Sequence, residues 1–259
     1  MVQKEYTDQM QSIILLDLVP KRIISLVPSQ TEYLYDLGLE EEVVGITKFC
    51  IHPASWRKTK TIIGGTKNVS IDKVRALNPD LIIGNKEENT KEDIDQLRSI
   101  APVWMSDINN LDDALKMMLE IGEVLKKKEK ANAIVNKLRK QFLEFENQQF
   151  RNRGSVLYLI WDKPIIGVAS TTFIDDILKR AGFSNVLANQ DRYPQLEILD
   201  ELNPTYVFLS SEPYPFQEKH IRIFQQFFPN SKIKLVDGEL FSWYGSRLLK
   251  SVCYINKII

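Results

Sequence analysis

The stretch Ser70–Asn85, SIDKVRALNPDLIIGN, decides the fold. Ser70 stands where a helix N-cap belongs, and Ile71–Leu77 places apolar residues at helical spacing. Asn78-Pro79 stops that helix, because proline cannot continue it and restricts the residue before it. Asp80–Ile83 then reads as a compact buried strand. A helix feeding directly into an apolar strand is one half of a parallel β–α–β unit. The same order recurs at 195–210, QLEILDELNPTYVFLS: Leu196–Leu202 reads as the helix, Asn203-Pro204 as its stop and Thr205–Leu209 as the strand.

Working outward, RIISLVPSQTEYLYDLG (22–38) predicts a strand over Ile23–Val27. Ser29-Gln30-Thr31-Glu32 has the form of a capping box opening a helix that Gly38 closes. Glu42–Ile46 and Pro102–Met105 read as strands and Lys91–Ile100 as a helix. In the second half Ser155–Ile160 is a strand, and Thr171 or Thr172 caps a helix ending at Ala181-Gly182. Lys232–Val236 is the last strand and Gly245–Asn256 the last helix. APVWMSD (101–107) answers SKIKLVD (231–237), so three segments match between the halves in the same order. Between them Leu111, Leu115, Met118, Val124 and Leu125, then Ala131, Ile134, Val135, Leu138, Phe142 and Phe145, keep helical spacing. This predicts one helix broken near Gly122–Lys128, or two in tandem. The expected organisation is an α/β lobe over 1–110, a helical spine over 111–150 and a second α/β lobe over 151–259.

Composition limits what such a chain can do. Its 259 residues carry 34 basic and 34 acidic side chains, for zero formal charge, and 44% are hydrophobic. Nucleic-acid binding by bulk electrostatics needs a basic excess, and disorder needs fewer hydrophobes; neither is expected. No apolar run approaches the roughly 20 residues of a bilayer crossing, so membrane insertion is not expected. Ile13–Leu16, closed by Asp17, is too short for the core of a secretory signal. Cys50 and Cys253 read as free thiols, and two histidines are too few for a bare zinc or manganese site. Cys50 and His52, two apart, lack a defined geometry for a nucleophile and its base. There is no nucleophile elbow, phosphate loop or dinucleotide fingerprint, which favours binding over catalysis. Asp107 and Asp237, after corresponding strands, suit helix capping equally well.

In open α/β sheets ligands bind beyond the carboxyl ends of the strands. Two lobes would set those ends facing across a cleft. The loops there hold Phe49 in the first half and Trp161, Tyr214, Trp243 and Tyr244 in the second. LFSWYGSR (240–247) suits stacking on a flat ligand, with Arg247 to pair a carboxylate. GNKEEN (84–89) places Asn85 at a strand tip, and IGGTKN (63–68) offers a glycine pair beside Lys67. The candidate ligand residues are therefore Phe49, Lys67, Asn85, Trp161, Tyr214, Trp243, Tyr244 and Arg247.

At RIISLVPSQTEYLYDLG, IDKVRALNPDLIIGN and the helical spine the chain resembles the substrate-binding proteins of ABC importers for cobalamin, haem and iron–siderophores. The resemblance covers about residues 8–256. It implies two Rossmann-like lobes with mostly parallel sheets, joined by one long α-helix, with the ligand cleft between them. It also implies a monomer with no cofactor of its own, whose ligand is a cobalt corrinoid, haem or ferric chelate handed to a permease dimer and its ATPase. Docking would use an acidic side chain on each lobe, and Asp72 and Glu197 are the nearest positions. Within the family the chain looks most like the cobalamin branch, where Phe49 matches a stacking aromatic and Arg247 an arginine of the last loop. A periplasmic or cell-surface location is implied; the sequence as given shows no export signal, which leaves a cytoplasmic one open. Two other readings stand beside this one: a two-lobed enzyme such as a nucleotide-sugar glycosyltransferase, and a cytoplasmic ligand sensor on the same fold.

Overall fold

A computed structural model describes residues 3–148, 152–197, 199 and 202–258. The chain divides into two compact units. The first comprises the described residues up to Ile108, with Asp112–Asn136 and Tyr244–Arg247. The second comprises Asn109–Leu111, the described residues from Lys137 to Trp243, and those from Leu248 onward.

The first unit opens with an antiparallel hairpin of β1 (Lys4–Thr7) and β2 (Ile13–Leu16). Then come β3 (Ile23–Ser25), α1 (Pro28–Asp36), β4 (Val43–Ile46), α2 (Trp56–Thr59) and β5 (Thr61–Ile62). A small hairpin of β6 (Gly64–Gly65) and β7 (Asn68–Val69) precedes α3 (Ile71–Ala76), β8 (Leu81–Asn85), α4 (Lys91–Leu97) and β9 (Val103–Ser106). The main sheet runs β5-β4-β3-β8-β9 and is parallel throughout. Ile23, Ile24, Leu81, Ile82 and Ile83 are all buried, as a sheet covered on both faces demands. β3 has β4 on one side and β8 on the other, so the carboxyl ends of β3 and β8 flank the switch point where such sheets bind ligands.

The helical stretch is two helices, α5 (Leu111–Val124) and α6 (Lys128–Gln148). They break at Leu125–Lys127, where Lys126 takes a positive φ of 55°. Ala131, Val135, Leu138, Phe142 and Phe145 form the buried stripe of α6. Gly122 on α5 lies against Ala131, and a Cβ at 122 would collide with that of Ala131. The expected boundary between spine and second lobe falls on 149–151, outside the described residues.

The second unit contains β10 (Ser155–Trp161), β11 (Ile166–Gly167), α7 (Phe173–Arg180), β12 (Ser184–Asn185), β13 (Tyr206–Ser210), α8 (Glu218–Phe227), β14 (Lys232–Val236), α9 (Glu239–Ser242) and α10 (Leu248–Ile258). Its sheet runs β11-β10-β13-β14, with β12 also on β10. All pairs are parallel except β10 with β11. Both units are thus α/β with mostly parallel sheets, as the repeat predicts.

Two local expectations are corrected. Pro28 takes the first helical position of α1, whose Val27 N-cap has no side-chain cap, so Ser29–Glu32 lie inside the helix and are buried. Leu196, Glu197, Leu199 and Leu202 are not helical, and 198, 200 and 201 lie outside the described residues. The backbone there bonds elsewhere: Gln195 bridges Ile166, and the Leu196 N–H donates to the Ile165 carbonyl at 2.9 Å. Thr172, by contrast, caps α7 by accepting from the Asp175 N–H, as read. The β1–β2 hairpin and α8 were not foreseen.

Candidate ligand site

In the first unit the strand ends are tied by side chains of the loops themselves. Asn85, buried at the end of β8, donates from Nδ2 to Ser106 Oγ at 2.9 Å. Its Oδ1 accepts from the Glu87 and Glu88 N–H groups at 2.8 and 3.2 Å. Asn85 therefore shapes its own loop, closing an Asx turn. Ser106 Oγ also accepts from Gln30 Nε2 at 2.6 Å, which joins α1 to β9. Glu88 is half-buried; burial pushes its carboxyl up, and the nearby Lys67 charge pulls it back down.

Phe49, in the turn after β4, is 50% exposed. Its ring lies over Gly65, and Lys48 Nζ sits 5.0 Å from the ring centroid. Phe49 and Lys67 thus belong to one unit, Phe49 packing beside the Gly65 that lies two residues before Lys67. Cys50 is a buried free thiol pushed up by burial, with the Thr31 and Thr47 hydroxyls 3.1 and 3.2 Å from Sγ. That environment favours the inert thiol over a nucleophile.

Tyr244 and Arg247 belong to this first unit. Gly245, at φ +114°, brings the segment against α1, where a Cβ would stand 3.2 Å from the Ser29 carbonyl oxygen. Arg247 then forms a bidentate pair with Glu32, Nε–Oε2 2.6 Å and Nη2–Oε1 3.0 Å. The two side chains are only 8% and 11% exposed. The carboxylate that Arg247 meets is therefore one of the chain's own. Asp72, in the first turn of α3, is 96% exposed and pairs loosely with Arg75 at 3.2 Å.

In the second unit Trp161 ends β10, 38% exposed, and donates from Nε1 to the Lys163 carbonyl at 3.1 Å. Its ring centroid is 5.7 Å from that of Tyr214, edge-on. Tyr214 contacts Phe216 and His220 at 4.8 and 5.5 Å between centroids. Its hydroxyl reaches Asp162 at 3.5 Å and His220 Nε2 at 3.2 Å. Trp243 is buried and donates to Glu212 Oε1 at 2.9 Å, an oxygen that also accepts from Ser242 at 2.7 Å. Glu197 is exposed in the irregular chain before β13.

The structure therefore brings Trp161 and Tyr214 into one aromatic cluster, while Trp243 is held in a separate network around Glu212. Sequence reasoning missed Gln30, Glu32, Asp162, Glu212 and His220. His220 carried a signal as one of two histidines, and Gln30 and Glu32 stood in the stretch read as a capping box, whose pattern pointed to a helix start and not to these partners. Among the described residues no group of three or more His, Cys, Asp or Glu could hold a bare metal ion.

A family model described as "Periplasmic binding protein" matches residues 23–231. An uncharacterized ABC transporter substrate-binding lipoprotein, YvrC of Bacillus subtilis, is 27% identical over 71% of this chain and 62% of its own length. The chain thus spans less than two thirds of the curated relatives it matches. Among solved structures, the periplasmic vitamin B12-binding protein BtuF of Vibrio cholerae superposes with a TM-score of 0.80 at 22% identity, covering 92% of this chain and 96% of that one. The petrobactin-binding protein YclQ of Bacillus subtilis gives 0.82 at 16%, covering 99% and 98%. At these identities the structural likeness is one of fold.

Proposed function

Because the chain belongs to the periplasmic binding protein family, we propose that it is the substrate-binding component of an ABC importer. It captures a corrinoid, haem or iron–siderophore chelate and delivers it to a permease and its ATPase. The observation that carries this reading is the family match over residues 23–231, which runs through strands of both units. Relatives on the fold are named for vitamin B12 and petrobactin, which supports a bulky chelate as cargo.

The strand ends supply suitable chemistry. Phe49 in the first unit and Trp161 in the second are partly exposed rings, and such rings gain by covering a flat or apolar ligand surface. Lys67 in the first unit and Tyr214 in the second are the polar groups we assign to ligand contact. Capture needs no bond to be made or broken, and the family match lends no support to the glycosyltransferase reading. Asp72 and Glu197, both exposed, are the acidic groups we assign to docking on the permease. The protein acts as a monomer at the periplasmic face or cell surface. Among the described residues no helix is long and apolar enough to cross a membrane.

Titration with cyanocobalamin, haemin and a ferric siderophore, followed by tryptophan fluorescence, tests the proposal. Saturable quenching by one of them with Kd below about 100 μM is expected. No saturation with any of the three overturns it.

A further inference from the structure

The hydrogen-bond roles around Tyr214 are fixed from the backbone outward. The N–H of Gln217, at the N-cap of α8, points at His220 Nδ1 across 2.8 Å. A backbone N–H can only donate, so Nδ1 must present its lone pair. The Gln217 carbonyl, 3.2 Å from the same nitrogen, is the longer contact. The imidazole is then the neutral tautomer with its proton on Nε2. That proton faces the Tyr214 oxygen at 3.2 Å, so the tyrosine accepts from His220. Its own proton is left to point elsewhere, and the acceptor it finds is Asp162 Oδ2 at 3.5 Å, the far limit of a hydrogen bond. His220 is buried, whereas Tyr214 is half-buried beside the exposed Trp161. The hydroxyl is thus a donor with a directed, weakly used proton next to the partly exposed Trp161 ring.

Resting on the chelate-binding reading, we propose that Tyr214 is a specificity-determining donor, aimed by His220 and Asp162 at an oxygen acceptor on the ligand. A carboxamide carbonyl brought within ordinary hydrogen-bond distance replaces the long contact to Asp162 with a better one. A ferric ion seeking a phenolate meets the opposite situation, because the Asp162 carboxylate opposes a second negative charge beside it. Partial burial, then the Asp162 charge, push the Tyr214 phenol up from its ordinary value. Among the described residues Asp162 and His220 are the ionisable groups in contact with the hydroxyl. Corrinoids, with their rim of carboxamides, present this acceptor repeatedly, as do the amide carbonyls of siderophores, and the site selects against haem held through a tyrosine phenolate.

Carbon-13 tyrosine NMR of the ligand-free protein, with Tyr214→Phe to assign the signal, tests the relay directly. Tyr214 stays neutral through neutral pH, and Asp162→Asn lowers its titration midpoint. A Tyr214 phenolate at neutral pH, or an unmoved midpoint in Asp162→Asn, overturns the proposal whatever the ligand. With cyanocobalamin, Tyr214→Phe weakens binding about five- to tenfold, and unchanged affinity overturns it. With haemin, wild type and Tyr214→Phe give the same visible spectrum; a phenolate-to-iron band lost in the variant overturns it. Haemin binding without cyanocobalamin binding also overturns it. If neither these two nor a ferric siderophore binds, the chelate reading fails instead, and the NMR titration decides the relay alone.

Discussion

Arg247 shows what a sequence can and cannot say about one residue. Its setting, beside glycine and three aromatic residues, marks it as important. Its partner, Glu32, is 215 positions away, and no local pattern reports that. The pair is nearly dry, so its members depend on each other. Arg247→Ala strips the guanidinium from a carboxylate held in low dielectric and should cost about 3–5 kcal/mol in urea unfolding. Glu32→Gln combined with Arg247→Met removes both charges and should recover much of that loss. If Arg247→Ala unfolds like wild type, the pair is ornamental. Glu120 makes the converse case. Burial pushes its carboxyl up from the ordinary 4.5, Lys116 pulls it down and Asp8 pushes it up. A raised carboxyl binds its proton more tightly folded than unfolded, so its contribution is fully favourable in acid and is lost as pH rises through the folded value. Glu120→Gln should therefore gain stability over wild type as pH rises from 4 to 7, read as a growing difference in Tm. A difference that is flat or shrinks with pH contradicts the assignment.

At the scale of elements, legibility followed how local the determining interaction is. The central strands β3, β8, β10 and β13 were readable because burial on both faces forces continuous apolar runs, whereas the two-residue strands β5, β11 and β12 are too short to leave such a run. α7 was readable because its cap, Thr172, lies three residues from the N–H it accepts. The helix expected over 196–202 had the right spacing, but its backbone groups are spent on the β11 edge, a tertiary competitor that spacing cannot reveal. α8 went unread because a glutamine–histidine pair closes its N-terminus in place of the usual small polar cap. The α5–α6 junction gives a prediction of the same kind. Alanine is the better helix former by about 1 kcal/mol, so propensity alone favours Gly122→Ala. Contact with Ala131 forbids it, since the added methyl must push the helices apart. Overpacking of this sort costs about 1–3 kcal/mol, and Gly122→Ala should lower Tm. Ala131→Gly in the same chain should restore much of the loss. A more stable single variant would mean that the helices separate freely.

For the molecule as a whole, the α/β architecture was legible because buried apolar strands alternate with helical spacing in both halves; helix, proline and strand follow in order at 70–85, whereas at 195–210 the strand after Pro204 is the part that holds. The proposed ligand-contacting residues were legible only as members of a set of loops. Asn85 proves to be a turn former, and which aromatic residues cluster depends on strand order that no single segment contains. The proposed transport function adds a requirement: a cargo protein must be recognised apart from its cargo. Asp72 has almost its whole side chain in water, and its ion pair with Arg75 is of the exposed kind worth about 0–1 kcal/mol. Neither it nor Glu197 is needed for folding on these grounds, so each is free to serve an outside partner. Charge reversal separates the roles. Asp72→Lys with Glu197→Lys should leave Tm and cyanocobalamin affinity within experimental error of wild type. The same variant should lose stimulation of the cognate permease–ATPase complex in proteoliposomes by tenfold or more, because like charges at a steered interface cost several kcal/mol. The loss should be steepest at low salt, where charge steering is strongest. Full stimulation by the double variant would remove both residues from the docking surface and leave the acidic pair as helix and loop solvation alone.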